Sequence, residues 1–184
     1  MIMMCLINHI FFKYYNKMKD DKYYFHQTPE NLCKDIIQKI NWDINDIVIE
    51  PFAGENNFYN NLPENLEKHR CEIEDGLCYK DFNYNEIKPT TLLSNPPYLV
   101  DGKNAFYDIV LFYSKIKSIK KMYILCSVVC FTSLTPNRML KLNDNKLFLN
   151  KITTINIKKW RGRYYILYFT RKINKNIDYY IGNY

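Results

Sequence analysis

An apolar run that ends on Asn95-Pro96-Pro97-Tyr98 limits what this 184-residue chain can fold into. Thr90-Thr91-Leu92-Leu93-Ser94 reads as a short β-strand, and the prolines stop it. Neither proline has an N–H to give a ladder, and each fixes its own φ. The loop therefore starts where the strand ends, which is where open α/β sheets bind ligands. Upstream, Asp46 to Glu50 reads as a strand and Pro51 to Phe58 as a tight turn into a helix. Leu32, Ile36, Ile37 and Ile40 have helical spacing, as do Phe106, Ile109, Val110, Phe112, Tyr113 and Ile116. Further strands are expected over His69–Ile73, Met122–Cys130, Ile152–Ile157 and Arg163–Arg171, with a loop and short helix over Thr132–Asn145. This alternation predicts an α/β three-layer sandwich around a mostly parallel sheet that closes in an antiparallel hairpin.

The strand ends carry the chemistry. The Asn95 side-chain carbonyl and the neighbouring backbone carbonyl of Pro96 can accept both hydrogens of a planar amine or amide nitrogen. Held that way, the nitrogen becomes more tetrahedral and frees a lone pair otherwise delocalised into its π-system. Pro97 stiffens the turn, and Tyr98 offers a flat face for stacking. An ordinary Asn-Pro turn is the alternative for the tetrapeptide alone. At the earlier strand end, Gly54 lets a backbone turn press against a ligand, and Asn56 is among the residues that best tolerate the left-handed region. Glu72 lies 18 residues after Gly54, a distance at which an acidic residue grips ribose hydroxyls in nucleoside-binding sheets. Thr28-Pro29 reads either as a binding element or as a helix N-cap with proline at N1.

Five elements stand in a fixed order: Thr28-Pro29, Glu50 to Phe58, Glu72-Ile73-Glu74, Asp81-Phe82 and Asn95 to Tyr98. The chain from about residue 23 to 171 resembles the N6-adenine methyltransferases, particularly those of restriction-modification and viral type. The resemblance implies a Rossmann-like class I methyltransferase fold with seven strands, and S-adenosylmethionine as cofactor. Gln27, Thr28 and Pro29 would close over the methionine end, and Glu50 would meet the ammonium group. Phe52, Gly54, Asn56 and Phe58 would form the cofactor turn, although the family's second glycine is replaced by Asn56. Glu72 and Ile73 would hold the ribose. Asp81 would accept from the cofactor's adenine amine, with Phe82 beside that ring. Asn95, Pro96, Pro97 and Tyr98 would hold the target base, flipped out of its stack. No metal is implied. The expected units are an extension over 1–22, a catalytic domain over 23–175 and a tail over 176–184. The family usually carries a target-recognition domain after the core, whereas this chain runs only 13 residues past Arg171. Short loops, a partner protein or substrate shape would then supply target choice.

Charge separates the two halves. The first 114 residues hold 17 Asp and Glu against 11 Lys and Arg, and the last 70 hold 2 against 15. Such asymmetry points to a polyanion, with a solvated basic surface as the alternative. Lys158, Lys159, Trp160, Arg161 and Arg163 crowd the expected hairpin turn, where cations and an indole suit phosphate contact and base stacking. A tip that is basic for solubility, with Trp160 packed on the sheet, explains the same residues. Six cysteines include no Cys-x-x-Cys pair, so buried thiols in a reducing, intracellular compartment are expected rather than zinc or disulfides. Met1 to Phe12 is apolar but too short to span a bilayer, and it lacks the early positive charge and cleavage site of a signal peptide. A packed helix, a tail or a start at Met18 would each account for it. Two other functions use the same residues. Glutamine methylation of a release factor poses the same nitrogen problem, and a non-catalytic nucleic-acid-binding subunit would need no intact cofactor turn.

Overall fold

The computed structural model describes residues 27–100, 102–156, 160, 162–174 and 177–183. Helix α1 (Glu30–Gln38) opens them, followed by β1 (Ile47–Glu50), α2 (Asn57–Asn61) and β2 (Glu67–Arg70). A 3-10 turn (Ile73–Asp75), α3 (Tyr84–Ile87) and β3 (Thr91–Ser94) lead to a small hairpin, β4 (Leu99–Val100) and β5 (Lys103–Asn104). Then come α4 (Phe106–Ser114), β6 (Lys121–Ser127), α5 (Val128–Thr132), α6 (Pro136–Asp144), β7 (Phe148–Asn156), β8 (Tyr164–Thr170) and β9 (Asp178–Asn183).

One seven-stranded sheet runs in the order β2-β1-β3-β6-β8-β7-β9. Six of its strands point the same way, and β8 alone is antiparallel, inserted between β6 and β7. The mostly parallel sheet and the antiparallel hairpin are therefore as expected. The ending differs: residues 178–183, expected as a tail, add a parallel edge strand to β7. The chain goes outward from β1 to β2 and returns to β3 on the other side of β1. That reversal puts a crevice at the carboxyl ends of β1 and β3.

Central strands are buried on both faces, which is why they read as unbroken apolar runs. All four residues of β3 are buried. Their side chains alternate between two cores. Ile49, Leu92, Met122, Ile124, Leu167 and Phe169 meet Phe106, Ile109, Val110 and Tyr113 of α4. Val48, Leu93, Leu125 and Ile166 meet Leu32, Cys33, Ile36 and Ile37 of α1 together with Phe58. The strand expected over Met122–Cys130 ends early, at Ser127. The Ser127 hydroxyl accepts from the Cys130 N–H and caps α5, so a β-branched pair, Val128-Val129, starts a helix. The strand expected over His69–Ile73 is shifted to Glu67–Arg70, and Ile73 starts the 3-10 turn.

At the opposite edge of the sheet one guanidinium holds several chain ends. Arg171 donates through Nε to Ile119 O (2.8 Å), through Nη1 to Ser114 O (2.8 Å) and Asn145 O (2.7 Å), and through Nη2 to Ile116 O (2.8 Å). Ser114 ends α4 and Asn145 caps α6, while Ile116 and Ile119 lie in the link from α4 to β6. Arg171→Met is expected to destabilise the fold by about 2–4 kcal/mol, because it deletes four bonds and takes the guanidinium from the carbonyls of the buried residues Ser114 and Ile119. Urea unfolding monitored by tryptophan fluorescence reads this directly.

Candidate active site

The crevice begins at the last residue of β1. Glu50 is 2% exposed, and its Oε2 has no hydrogen-bond partner. Burial raises its carboxyl well above the ordinary value, and the Glu72 charge adds to the rise. A hydrogen bond from the Tyr59 backbone and the charge of Arg70 oppose it. After Glu50 the chain turns back on itself. Cys71 N–H donates to Glu50 O (2.9 Å), and Ala53 N–H to Cys71 O (3.1 Å). Gly54 has φ 52°, and Asn56 has φ 64° and ψ 22°. Asn56 thus takes the left-handed conformation the turn requires, and its Oδ1 is buried without a partner. A Cβ on Gly54 would lie 2.6 Å from Gln27 Nε2, so the Gln27 amide packs over the turn.

Glu72 is buried beside this turn. Its Oε2 accepts from Gly54 N–H (2.5 Å), and its Oε1 accepts from Glu74 N–H (3.3 Å) at the cap of the 3-10 turn. Both oxygens therefore hold backbone. Ile73 is half-buried next to it. Phe58 is 2% exposed and belongs to the core under the turn, so it seats α2 rather than facing the crevice. Phe52 lines the other side, its ring 4.9 Å from Tyr79. Tyr79 continues to Phe112 (5.2 Å), and Phe82 to Tyr84 (4.8 Å), which makes an aromatic wall. Burial pushes the Tyr79 hydroxyl up to about 12. Tyr84 donates to Tyr79 O (2.7 Å), fixing that wall. Asp81 is exposed at its rim.

At the end of β3, Asn95 is half-buried and Pro96 is buried. Asn95 Nδ2 donates to Thr28 Oγ1 (3.1 Å), and Tyr98 Oη donates to Asn95 Oδ1 (3.0 Å). The Tyr98 ring is half-buried and packs on both cores. Thr28 does not cap α1: Pro29 occupies the N-cap position, and no side chain caps that helix. Thr28 O instead accepts from Asn57 Nδ2 (2.9 Å), a residue the sequence pattern did not single out. Ser94, also unforeseen, is 1% exposed and its Oγ has no partner. Nothing in its sequence context marks it beyond its place at a strand end.

The carboxyl end of β7 lies on the same edge of the sheet as Asn95, so the β7–β8 turn rises there. Trp160 is half-buried, with its ring 4.7 Å from Tyr164. Arg163 is exposed. Lys158, Lys159 and Arg161 lie outside the described residues. Among the described residues no group of His, Cys, Asp and Glu could hold a metal, and no helix is long and apolar enough to cross a membrane.

No protein-family model and no curated protein matches the chain. Solved structures do. The modification subunit assigned to a type I restriction enzyme of Vibrio vulnificus aligns over 96% of this chain and 54% of its own, at 12% identity and a TM-score of 0.53. A Listeria monocytogenes protein assigned to the class I S-adenosylmethionine-dependent methyltransferases aligns over 85% of this chain and 65% of its own, at 10% identity and a TM-score of 0.55. The E. cuniculi Mtq2–Trm112 complex, responsible for methylation of the eRF1 translation termination factor, aligns over 82% of this chain and 99% of its own, at 11% identity and a TM-score of 0.50. The chain thus spans between half and two thirds of the first two. At these identities the likeness is one of fold: a Rossmann-like α/β sandwich.

Proposed function

We propose that the chain transfers a methyl group from S-adenosylmethionine to the exocyclic N6 of adenine in nucleic acid, DNA being favoured over RNA. The carrying observation is the Asn95 amide at the carboxyl end of β3, held by hydrogen bonds at both its ends, next to a turn where the buried Glu50 has one oxygen without a partner. The residues present fit the cofactor. Glu50 Oε2 lacks the donor that an ammonium group would supply, and Asn56 Oδ1 is a second unused acceptor. Phe52 and the Tyr79 wall suit a purine ring, with Asp81 at the rim for its amine. Glu72, its oxygens already on Gly54 and Glu74, would steady the turn and meet ribose hydroxyls through its remaining lone pairs.

Bound there, the cofactor supplies a methyl carbon on a sulfonium, and the C–S bonding pair stays with sulfur as the carbon is taken. Asn95 Oδ1 and the Pro96 carbonyl accept the two N–H hydrogens of the target amine and turn its lone pair toward that carbon. The nitrogen gains one bond and then loses a proton to solvent along these acceptors. Orientation rather than acid–base catalysis would supply most of the rate. Tyr98 packs beside the base, and Trp160 and Arg163, with Lys158, Lys159 and Arg161, would contact the phosphate backbone.

Glutamine methylation is the second reading, favoured by the nearly complete overlap with the E. cuniculi protein. The basic second half supports nucleic acid instead. A non-catalytic subunit had the missing second glycine as its support, and Asn56 in the left-handed region removes it. Methyl-labelled S-adenosylmethionine, offered with DNA, RNA and extract protein, is expected to leave N6-methyladenine in nucleic acid. Label on a protein glutamine would favour the second reading. No label, with no cofactor binding by calorimetry, would overturn both.

A further inference from the structure

We infer that the Thr28 hydroxyl is a positioning group for the amine-binding amide, coupling the cofactor turn to Asn95. The inference rests on the proposed reading of Asn95 as the acceptor of the target amine. The Thr-Pro pattern by itself suggests a helix cap or a backbone lid. The structure gives the side chain another partner, 67 residues away in sequence.

Thr28 is 4% exposed, so its hydroxyl must find a partner inside the protein. It takes the N–H of Asn95 Nδ2 at 3.1 Å. An amide has a donor end and an acceptor end, and satisfying the donor end at Thr28 turns Oδ1 the other way. Tyr98 Oη donates to Oδ1 at 3.0 Å, so the acceptor end of the amide is held as well as the donor end. Without Thr28 Oγ1 the amide loses a bond that holds its Nδ2 end in place.

The same threonine is anchored on the cofactor side. Its carbonyl accepts from Asn57 Nδ2 at 2.9 Å, and Asn57 is the first residue of α2, directly after Asn56. Cys33 Sγ of α1 approaches that carbonyl at 3.8 Å. A short chain of bonds therefore runs from the Gly54–Asn56 turn through Asn57 and Thr28 to Asn95 and Tyr98. Seating a ligand on the turn would set where Asn95 points.

Thr28→Val keeps the branched shape and removes the hydroxyl, whereas Thr28→Ser keeps the hydroxyl. Thr28→Val is expected to lower kcat roughly 10- to 100-fold, the usual consequence of a misplaced positioning group, with cofactor Kd within about threefold of wild type. Thr28→Ser is expected to regain most of that loss. In 15N spectra, the Asn95 side-chain NH2 pair, identified by its disappearance in Asn95→Ala, is expected to shift in Thr28→Val and not in Thr28→Ser. A weakened cofactor Kd with unchanged kcat would overturn the inference in favour of a backbone lid. So would an unmoved Asn95 NH2 pair, a readout that needs no turnover and stands even if adenine is not the substrate. Should Thr28→Val fail to fold, Tyr98→Phe removes another bond to the same amide. It is expected to lower kcat at constant cofactor Kd, and wild-type kcat there would overturn the coupling.

Discussion

Asn95→Ala is expected to lower kcat by at least about 100-fold while cofactor affinity stays within about threefold of wild type. The separation follows from where the side chain sits. Asn95 directly follows β3, and its amide lies between the Thr28 and Tyr98 hydroxyls. The groups proposed for the cofactor lie at and just after the end of β1: Glu50, Gly54 and Asn56. On the proposed function, truncation removes the side-chain acceptor for the amine and leaves that turn intact. Thr28 and Tyr98 lose a shared partner, at a stability cost of about 1–2 kcal/mol. That cost leaves the protein folded for the assay, and thermal unfolding checks it. Single-turnover methyl transfer measured beside calorimetry separates the two effects. A variant that kept a tenth or more of the wild-type rate would remove Asn95 from the chemistry, leaving the Pro96 carbonyl to act alone.

The central sheet was legible because parallel strands buried on two faces must be apolar throughout. Val48-Ile49, Leu92-Leu93 and Met122 to Cys126 could be read with no partner in view. The end of β6 was not, because Val128-Val129 prolongs the same β-branched run. The signal that stops it is one serine hydroxyl, whose capping role depends on the turn it makes. β9 was missed for a different reason. Among the described residues its partner in the sheet is β7, more than twenty residues away, and an edge strand needs no continuous apolar face. At the site, the left-handed Asn56 was readable because only a few residue types tolerate that conformation. The role of Thr28 was not readable locally. A threonine before a proline looks like a cap, and only the fold brings Asn95 to its hydroxyl. Glu72 was singled out by its spacing from Gly54, yet spacing could not reveal that both its oxygens bond backbone. Phe58 shows the reverse error, since a residue inside a binding motif can belong wholly to the core.

Glu50→Gln is expected to stabilise the empty protein and to weaken cofactor binding, two effects of opposite sign from one substitution. Glu50 is buried with an unpartnered oxygen, and its folded-state pKa lies well above the ordinary 4.5. The folded protein therefore holds this proton more tightly than the unfolded chain does. Stability from the protonated carboxyl is full below about 4.5 and is lost as pH rises through the folded value. Glutamine carries no charge at any pH, so Glu50→Gln should gain about 1–2 kcal/mol at pH 8, roughly 2–8 °C in Tm for a domain of this size. The gain should vanish toward pH 4, where the wild-type carboxyl is protonated in both states. With the cofactor the order reverses. An ammonium group beside Glu50 favours the ionised carboxylate and replaces the missing donor. Losing that charge-assisted bond should weaken binding about 10- to 100-fold. Wild-type affinity should also rise with pH up to the folded pKa, with a proton released on binding, whereas the Glu50→Gln affinity should be flat. Calorimetry in two buffers of different ionisation enthalpy counts that proton. A variant that lost stability and affinity together would make Glu50 a structural carboxylate, and the ammonium would then have to be held by other acceptors of the turn, of which Asn56 Oδ1 is the one left without a partner.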